Sequence, residues 1–149
     1  MNEILINEKN FESARKKIRE NLSSEIIFCS DDDDLNRKIL EKEKISVLLI
    51  NLTKRKDFMK QRNSGFNHVL AKIAKQNGVI IGINFDEIIE SSGKNKSEIL
   101  ARVKQNILLC NKNKLKMRFI ILKGNSRNIY DLKALGLILG MPTWMTKAL

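Results

Sequence analysis

Five short runs of the chain are apolar at consecutive positions rather than at alternate ones, and amphipathic stretches separate them. The runs fall at residues 3–6, 25–29, 45–52, 79–85 and 118–123. A strand covered on one face alternates polar and apolar residues, whereas one covered on both faces does not need to. The stretches between them, 11–20, 35–43, 66–77 and 97–110, repeat apolar residues at helical spacing, as does 130–139 after the last run. Strand and helix interleaved in this way predict βαβ units with right-handed crossovers and a parallel sheet. The single proline, Pro142, follows Gly140 and Met141 and marks a short terminal turn. With 149 residues, 42% of them hydrophobic, the expectation is one α/β domain over residues 1–149 with a real core.

Several classes fall away. The longest apolar run is about half a dozen residues, far short of a membrane span, and the N-terminus has no secretory pattern. Cys29 and Cys110 have neither CxxC nor Cys/His spacing, so they read as buried free thiols of a reducing, cytoplasmic compartment. The net charge of +11 is unevenly spread: residues 1–44 hold nine Lys/Arg and eleven Asp/Glu, residues 45–149 nineteen and six. Such a field favours a polyanion, nucleic acid or an anionic membrane. No helix here pairs a Lys-rich face with a Trp- or Phe-rich one, which makes the membrane the weaker choice. Charge serving solubility alone is the plainest alternative.

A parallel sheet gathers the C-terminal ends of its strands on one edge, where ligand sites of such folds collect. The loops expected there carry Asp31 to Asp34, then Lys54, Arg55 and Lys56 with Lys60 and Arg62, then Asp86 and Glu87, then Lys123 with Gly124, Asn125, Ser126 and Arg127. In residues 66–77, Phe66, Val69, Leu70, Ile73 and Ala74 form one apolar stripe, with His68, Lys72 and Lys75 nearly opposite. A helix start flanked by Arg62, His68 and Lys72 suits a phosphate; a solvated helix face is the competing reading. Phe58 and Met59 interrupt the basic loop and either pack down or stack on a base. The turn at 124–127 suits phosphate or ribose contacts, although Asn128 with Asp131 reads equally as a helix cap. The four aspartates fit a helix cap better than a Mg²⁺ site.

The chain has one histidine and no GxSxG, GxxxxGK[ST], HxH or HExxH motif. No catalytic or metal-ligating residue of its own is expected.

The block Asn63-Ser-Gly-Phe-Asn-His-Val-Leu-Ala-Lys-Ile-Ala, followed by Val79-Ile-Ile-Gly-Ile-Asn-Phe, resembles the signature of the archaeal ribonuclease P thirty-kilodalton-type protein, component three. Phe119-Ile-Ile-Leu-Lys-Gly-Asn-Ser, Tyr130-Asp-Leu-Lys and Ala134-Leu-Gly-Leu-Ile-Leu-Gly-Met are similar to that family's tail. The likeness runs over residues 45–141 and continues through 1–44 in pattern only. It implies a parallel (β/α) barrel-type fold related to TIM-like barrels and to metal-dependent phosphoesterases, without their metal ligands. Family members carry two further βα units before residues 3–6, so about five of eight barrel strands are expected here. The resemblance also implies a protein subunit of the ribonucleoprotein that removes 5′ leaders from precursor tRNA. There the RNA is the catalyst, Mg²⁺ acts through it, and a smaller α/β subunit is the protein partner. RNA contacts would fall on Arg62, His68, Lys72 and the turn after Lys123. Gln61 departs from the pattern, standing where the family tends to have arginine.

Two other functions stay in view: a generic structured-RNA or ribosome-associated binder, and a stand-alone metal phosphoesterase of the same lineage. The uncovered edges of a shortened sheet predict a homodimer, or a heterotetramer with the small α/β subunit. If the basic edge meets about four to six phosphates, log K for RNA falls with log salt at a slope of roughly −3 to −5. Fluorescence anisotropy across a salt series reads that slope, and a nearly flat line removes the electrostatic reading.

Overall fold

The computed structural model describes residues 2–149. All five apolar runs become strands: β1 (Glu3–Asn7), β2 (Glu25–Cys29), β3 (Val47–Ile50), β4 (Ile80–Asn84) and β5 (Met117–Ile120). Every pairing is parallel and the spatial order is the chain order. Right-handed crossovers that always step in one direction place every helix on the same side of the sheet. A doubly wound sheet would instead reverse its order partway. The result is an open, five-stranded α/β sheet of the barrel type.

Among the described residues seven helices accompany it: α1 (Phe11–Glu20), α2 (Asp33–Lys42), α3 (His68–Asn77), α4 (Phe85–Glu90), α5 (Gly93–Lys112), α6 (Ile129–Ile138) and α7 (Thr143–Lys147). The outward strand residues, among them Phe28, Leu48, Ile50 and Ile81, pack against Ile18, Ile39, Leu70 and Ile107 of the helices. The inward residues Ile27, Cys29, Val47, Leu49 and Ile120 form a second cluster on the concave side. Consecutive apolarity of the central strands is therefore accounted for face by face. On β1 the concave side is less covered, with Leu5 43% exposed.

Curvature is set by close contacts on that concave side. Arg118 of β5 reaches across to Glu25 of β2 (2.9 Å) and Glu3 of β1 (3.3 Å). Neither of those strands neighbours β5 in the sheet, so the ion pairs span the mouth of the curl. A Cβ at Gly82 would stand 3.0 Å from Val47 Cγ1 and 3.1 Å from Ile120 Cγ1. Only the bare glycine lets side chains from both flanking strands meet over β4.

Element ends differ from the sequence reading where side chains capture the backbone. The strand expected to reach Phe85 stops at Asn84, whose side chain caps α4 by accepting from the Glu87 N–H; α4 was not foreseen. β5 stops at Ile120 because the Leu122 and Lys123 N–H groups donate to Asp86. α2 begins at Asp33, since Asp32 accepts from the N–H groups of Asp34 and Leu35. α3 begins at His68, capped by Asn67, so Phe66 lies before the helix. The buried side of α3 consequently moves to Leu70, Ala71 and Ala74, while Val69 is exposed.

Replacing Gly82 by valine overpacks the concave face, and the expected loss is about 1–3 kcal/mol of unfolding free energy. Urea unfolding followed by circular dichroism measures it. An unchanged midpoint would mean that the concave cluster has room to spare.

Candidate nucleic-acid interface

A loop of residues 51–67 joins β3 to α3 at the C-terminal edge of the sheet. It has no ladder or helix to satisfy its backbone, and two guanidinium groups take on that role. The Arg55 side chain, 9% exposed, lies in a fork on Asp33 (2.9 and 3.0 Å) and donates to the Asn51 carbonyl. Arg102 of α5, with a side chain 4% exposed, donates to the carbonyls of Asn63 and Arg55, both at 3.0 Å, and to Asp57 at 3.1 Å. Asn106 and Gln105, also on α5, add bonds to the carbonyls of Ser64 and Arg62. Gly65 has φ +69°, and a Cβ there would run into the Arg55 guanidinium. The Asp57 carboxyl titrates below the usual carboxylate range, chiefly because it accepts from the Asn63 N–H, with Arg102 assisting.

Held in this way, the loop presents most of its cations outward. Lys54, Lys56, Lys60 and Arg62 are exposed, as are His68 and Lys72 on α3 and Arg127 beyond β5. Among the described residues none of these seven has a carboxylate within salt-bridge distance. Phe58 and Met59, 62% and 98% exposed, do not pack down but stand at the loop tip.

Three of the expected contacts are already engaged within the chain. Arg55 is turned inward. Lys123 pairs with Glu90 at 3.1 Å, and Asn125 donates to Asp86 at 2.9 Å. Ser126 is exposed, and its carbonyl accepts from Arg127, whose guanidinium lies 6.0 Å from the Phe85 ring centre. Asn128 caps α6 by accepting from the Tyr130 N–H, so the capping reading of that turn also holds.

The basic groups surround clefts rather than one pocket. Lys54, Arg55 and Lys56 line a space of about 600 Å³ with Asp31, Asp33, Asn51 and Glu87. Arg62 and His68 flank the Phe66–Asn67 turn but face different clefts, of about 270 and 510 Å³. Three carboxylates of this edge are spent on the fold: Asp32 on a cap, Asp33 on Arg55, and Glu87 on the N–H groups of Leu52 and Thr53. Among the described residues no group of three or more His, Cys, Asp or Glu is arranged to hold a metal ion. Cys29 and Cys110 are buried free thiols. Burial, with Asp31 and Glu87 nearby, pushes the Cys29 thiol up to about 11, and burial raises Cys110 further.

Arg102, Gln105 and Asn106 escaped the sequence reading, although the signal was available. Arg102 and Asn106 sit at helical spacing among Ile99, Val103, Ile107 and Cys110, so polar groups interrupt a buried stripe. A buried arginine needs partners, and loop carbonyls supply them.

No family model matches the chain. Among curated proteins it is 27% identical over 143 residues to ribonuclease P protein component 3 of Methanococcus maripaludis strain C7, an alignment covering 96% of this chain and 57% of that protein. It is 30% identical over 109 residues to the protein of the same name from Methanosarcina mazei, covering 73% and 41%. The chain is a homologue of ribonuclease P protein component 3. Its matches span 39% to 58% of the length of the curated relatives. In fold it superposes with a TM-score of 0.78 on a chain from a cryo-EM structure of archaeal ribonuclease P with mature tRNA, at 22% identity, covering 97% of this chain and 62% of the other.

Arg102→Ala leaves loop carbonyls without donors and is expected to cost about 2–3 kcal/mol. Residues 53–64 then become the first site of limited proteolysis, whereas Arg62→Ala changes neither stability nor cleavage. The acid side of the effect follows from Asp57. With its folded pKa lowered, its contribution is complete above pH ~4 and fades as pH falls further through the lowered value.

Proposed function

We propose that this chain is an RNA-binding protein subunit of ribonuclease P that supports RNA-catalysed removal of 5′ leaders from precursor tRNA. The observation that carries the reading is the pinned loop at one sheet edge, whose exposed cations lack carboxylate partners, in a chain homologous to component 3. A loop backbone already held in place loses little further freedom when phosphates dock, so the edge offsets phosphate repulsion where the RNA folds back on itself. Endonucleolytic hydrolysis then belongs to the RNA, with Mg²⁺ acting through it, and no side chain of this protein breaks the bond. The partners are ribonuclease P RNA, precursor tRNA and a small α/β subunit, in the cytoplasm. The edges of the curled sheet, β1 and β5, suit either that subunit in a heterotetramer or a second copy in a homodimer.

The test replaces Arg62, His68 and Lys72 together by alanine. None of them belongs to the buried side of α3, so the fold is expected to survive. The expected cost is roughly ten- to a hundred-fold in RNA affinity or reconstituted cleavage rate, with partial rescue by added Mg²⁺. The control removes exposed, unpaired Lys16 and Lys38 from α1 and α2, and is expected to matter much less. Equal effects would make net charge, not this edge, responsible. Cleavage by the protein without RNA would overturn the non-catalytic assignment.

A further inference from the structure

The opposite edge of the sheet carries a charge cluster that the function above does not use. Lys75 lies in the last turn of α3 just before β4, and Lys114 and Lys116 stand in the turn into β5. With strands of four or five residues, this edge stands about 15 Å from the loop edge along the sheet. All three lysines are exposed, and among the described residues none has a carboxylate within salt-bridge distance. The sequence supplies none nearby in the chain either, because residues 58–85 and 99–130 contain no Asp or Glu.

Two of the amines are held against groups of the chain itself. Lys75 Nζ donates to the Lys114 carbonyl at 3.0 Å, and Lys114 Nζ lies 5.7 Å from the centre of the Trp144 ring. Lys75, Lys114, Lys116 and Trp144 line a cleft of about 290 Å³. Like charges gathered without a counter-charge repel one another, and a polyanion relieves that cost while releasing its own counterions. Trp144 is half-buried and donates to Asn111, so the aromatic ring at this cleft is not free to insert into a bilayer.

We propose that this lysine cluster is a second, independent contact for an RNA phosphodiester backbone, so that one chain bridges two RNA segments on opposite edges of its sheet. It rests on the preceding reading only in the choice of RNA as the polyanion. A protein with one basic edge tethers a single segment; with two, it fixes the spacing between segments.

The experiment uses the full chain and a short RNA hairpin of about a dozen base pairs, with bound hairpins counted by native mass spectrometry and affinity read by anisotropy across a salt series. The wild type is expected to take two hairpins per chain. Lys75→Ala, Lys114→Ala and Lys116→Ala combined should leave one, weaken the second event tenfold or more, and lower the summed salt slope by about two to three. Lys54→Ala, Lys56→Ala and Arg62→Ala combined should also leave one. If only the lysine-cluster variant drops to one, the loop-edge reading fails and this inference stands. If only the loop-edge variant does, this inference fails. A second measurement does not depend on the variants folding: acetylation of wild-type protein should be slowed by RNA at Lys75, Lys114 and Lys116. Unchanged acetylation there overturns the proposal, as does loss of binding to phosphatidylserine vesicles in the lysine-cluster variant with RNA binding intact.

Discussion

Arg55 and Arg102 turn a long irregular loop into a fixed edge, and the display of charge around it depends on them. A loop of this length without secondary structure usually moves unless something else meets its backbone groups. Here the donors come from beneath, with one guanidinium in the loop itself and one on α5. They use the local carboxylates Asp33 and Asp57 as anchors. Arginine suits the task because its planar fork serves several acceptors at once and keeps its charge when buried. The consequence is a division of labour among cations adjacent in sequence: Arg55 is consumed by the fold, while Lys54, Lys56 and Arg62 are left facing solvent.

The clamp works because the sheet brings its parts together. Sequential parallel order stacks α3 beside α5, and the tight curl over Gly82 gathers the loops after β3, β4 and β5 at one mouth. Asp86 and Glu87, in the first turn of α4, each tie down a neighbouring strand end, β5 through Asp86 and β3 through Glu87. Carboxylates that look like candidates for chemistry therefore act as staples for the edge on which the cations stand.

The fold was legible in the sequence to the extent that it rests on burial. Five unalternating apolar runs gave the strands, their parallel direction and the edge where loops collect, because covering both faces of a sheet leaves that mark. The ends of elements were not legible, because Asn84, Asp32 and Asn67 decide them by capturing single N–H groups. The basic loop stood out by composition, but composition cannot separate a cation that folds inward from one that faces out. Arg55 and Lys56 look alike in sequence and differ only because Asp33 stands within reach of one of them. Arg102 lay hidden in a helix expected to be ordinary, since its partners are backbone carbonyls and leave no residue signature.

Whether the pinned loop edge is where this chain meets RNA is decided by ultraviolet crosslinking of the full chain to ribonuclease P RNA, with peptides mapped by mass spectrometry. Crosslinked peptides are expected from residues 53–72 and from the turn holding Arg127, lost when Arg102→Ala frees the loop and retained when Lys16 and Lys38 are replaced. Crosslinks confined to α1 and α2, or unaffected by release of the loop, would contradict it.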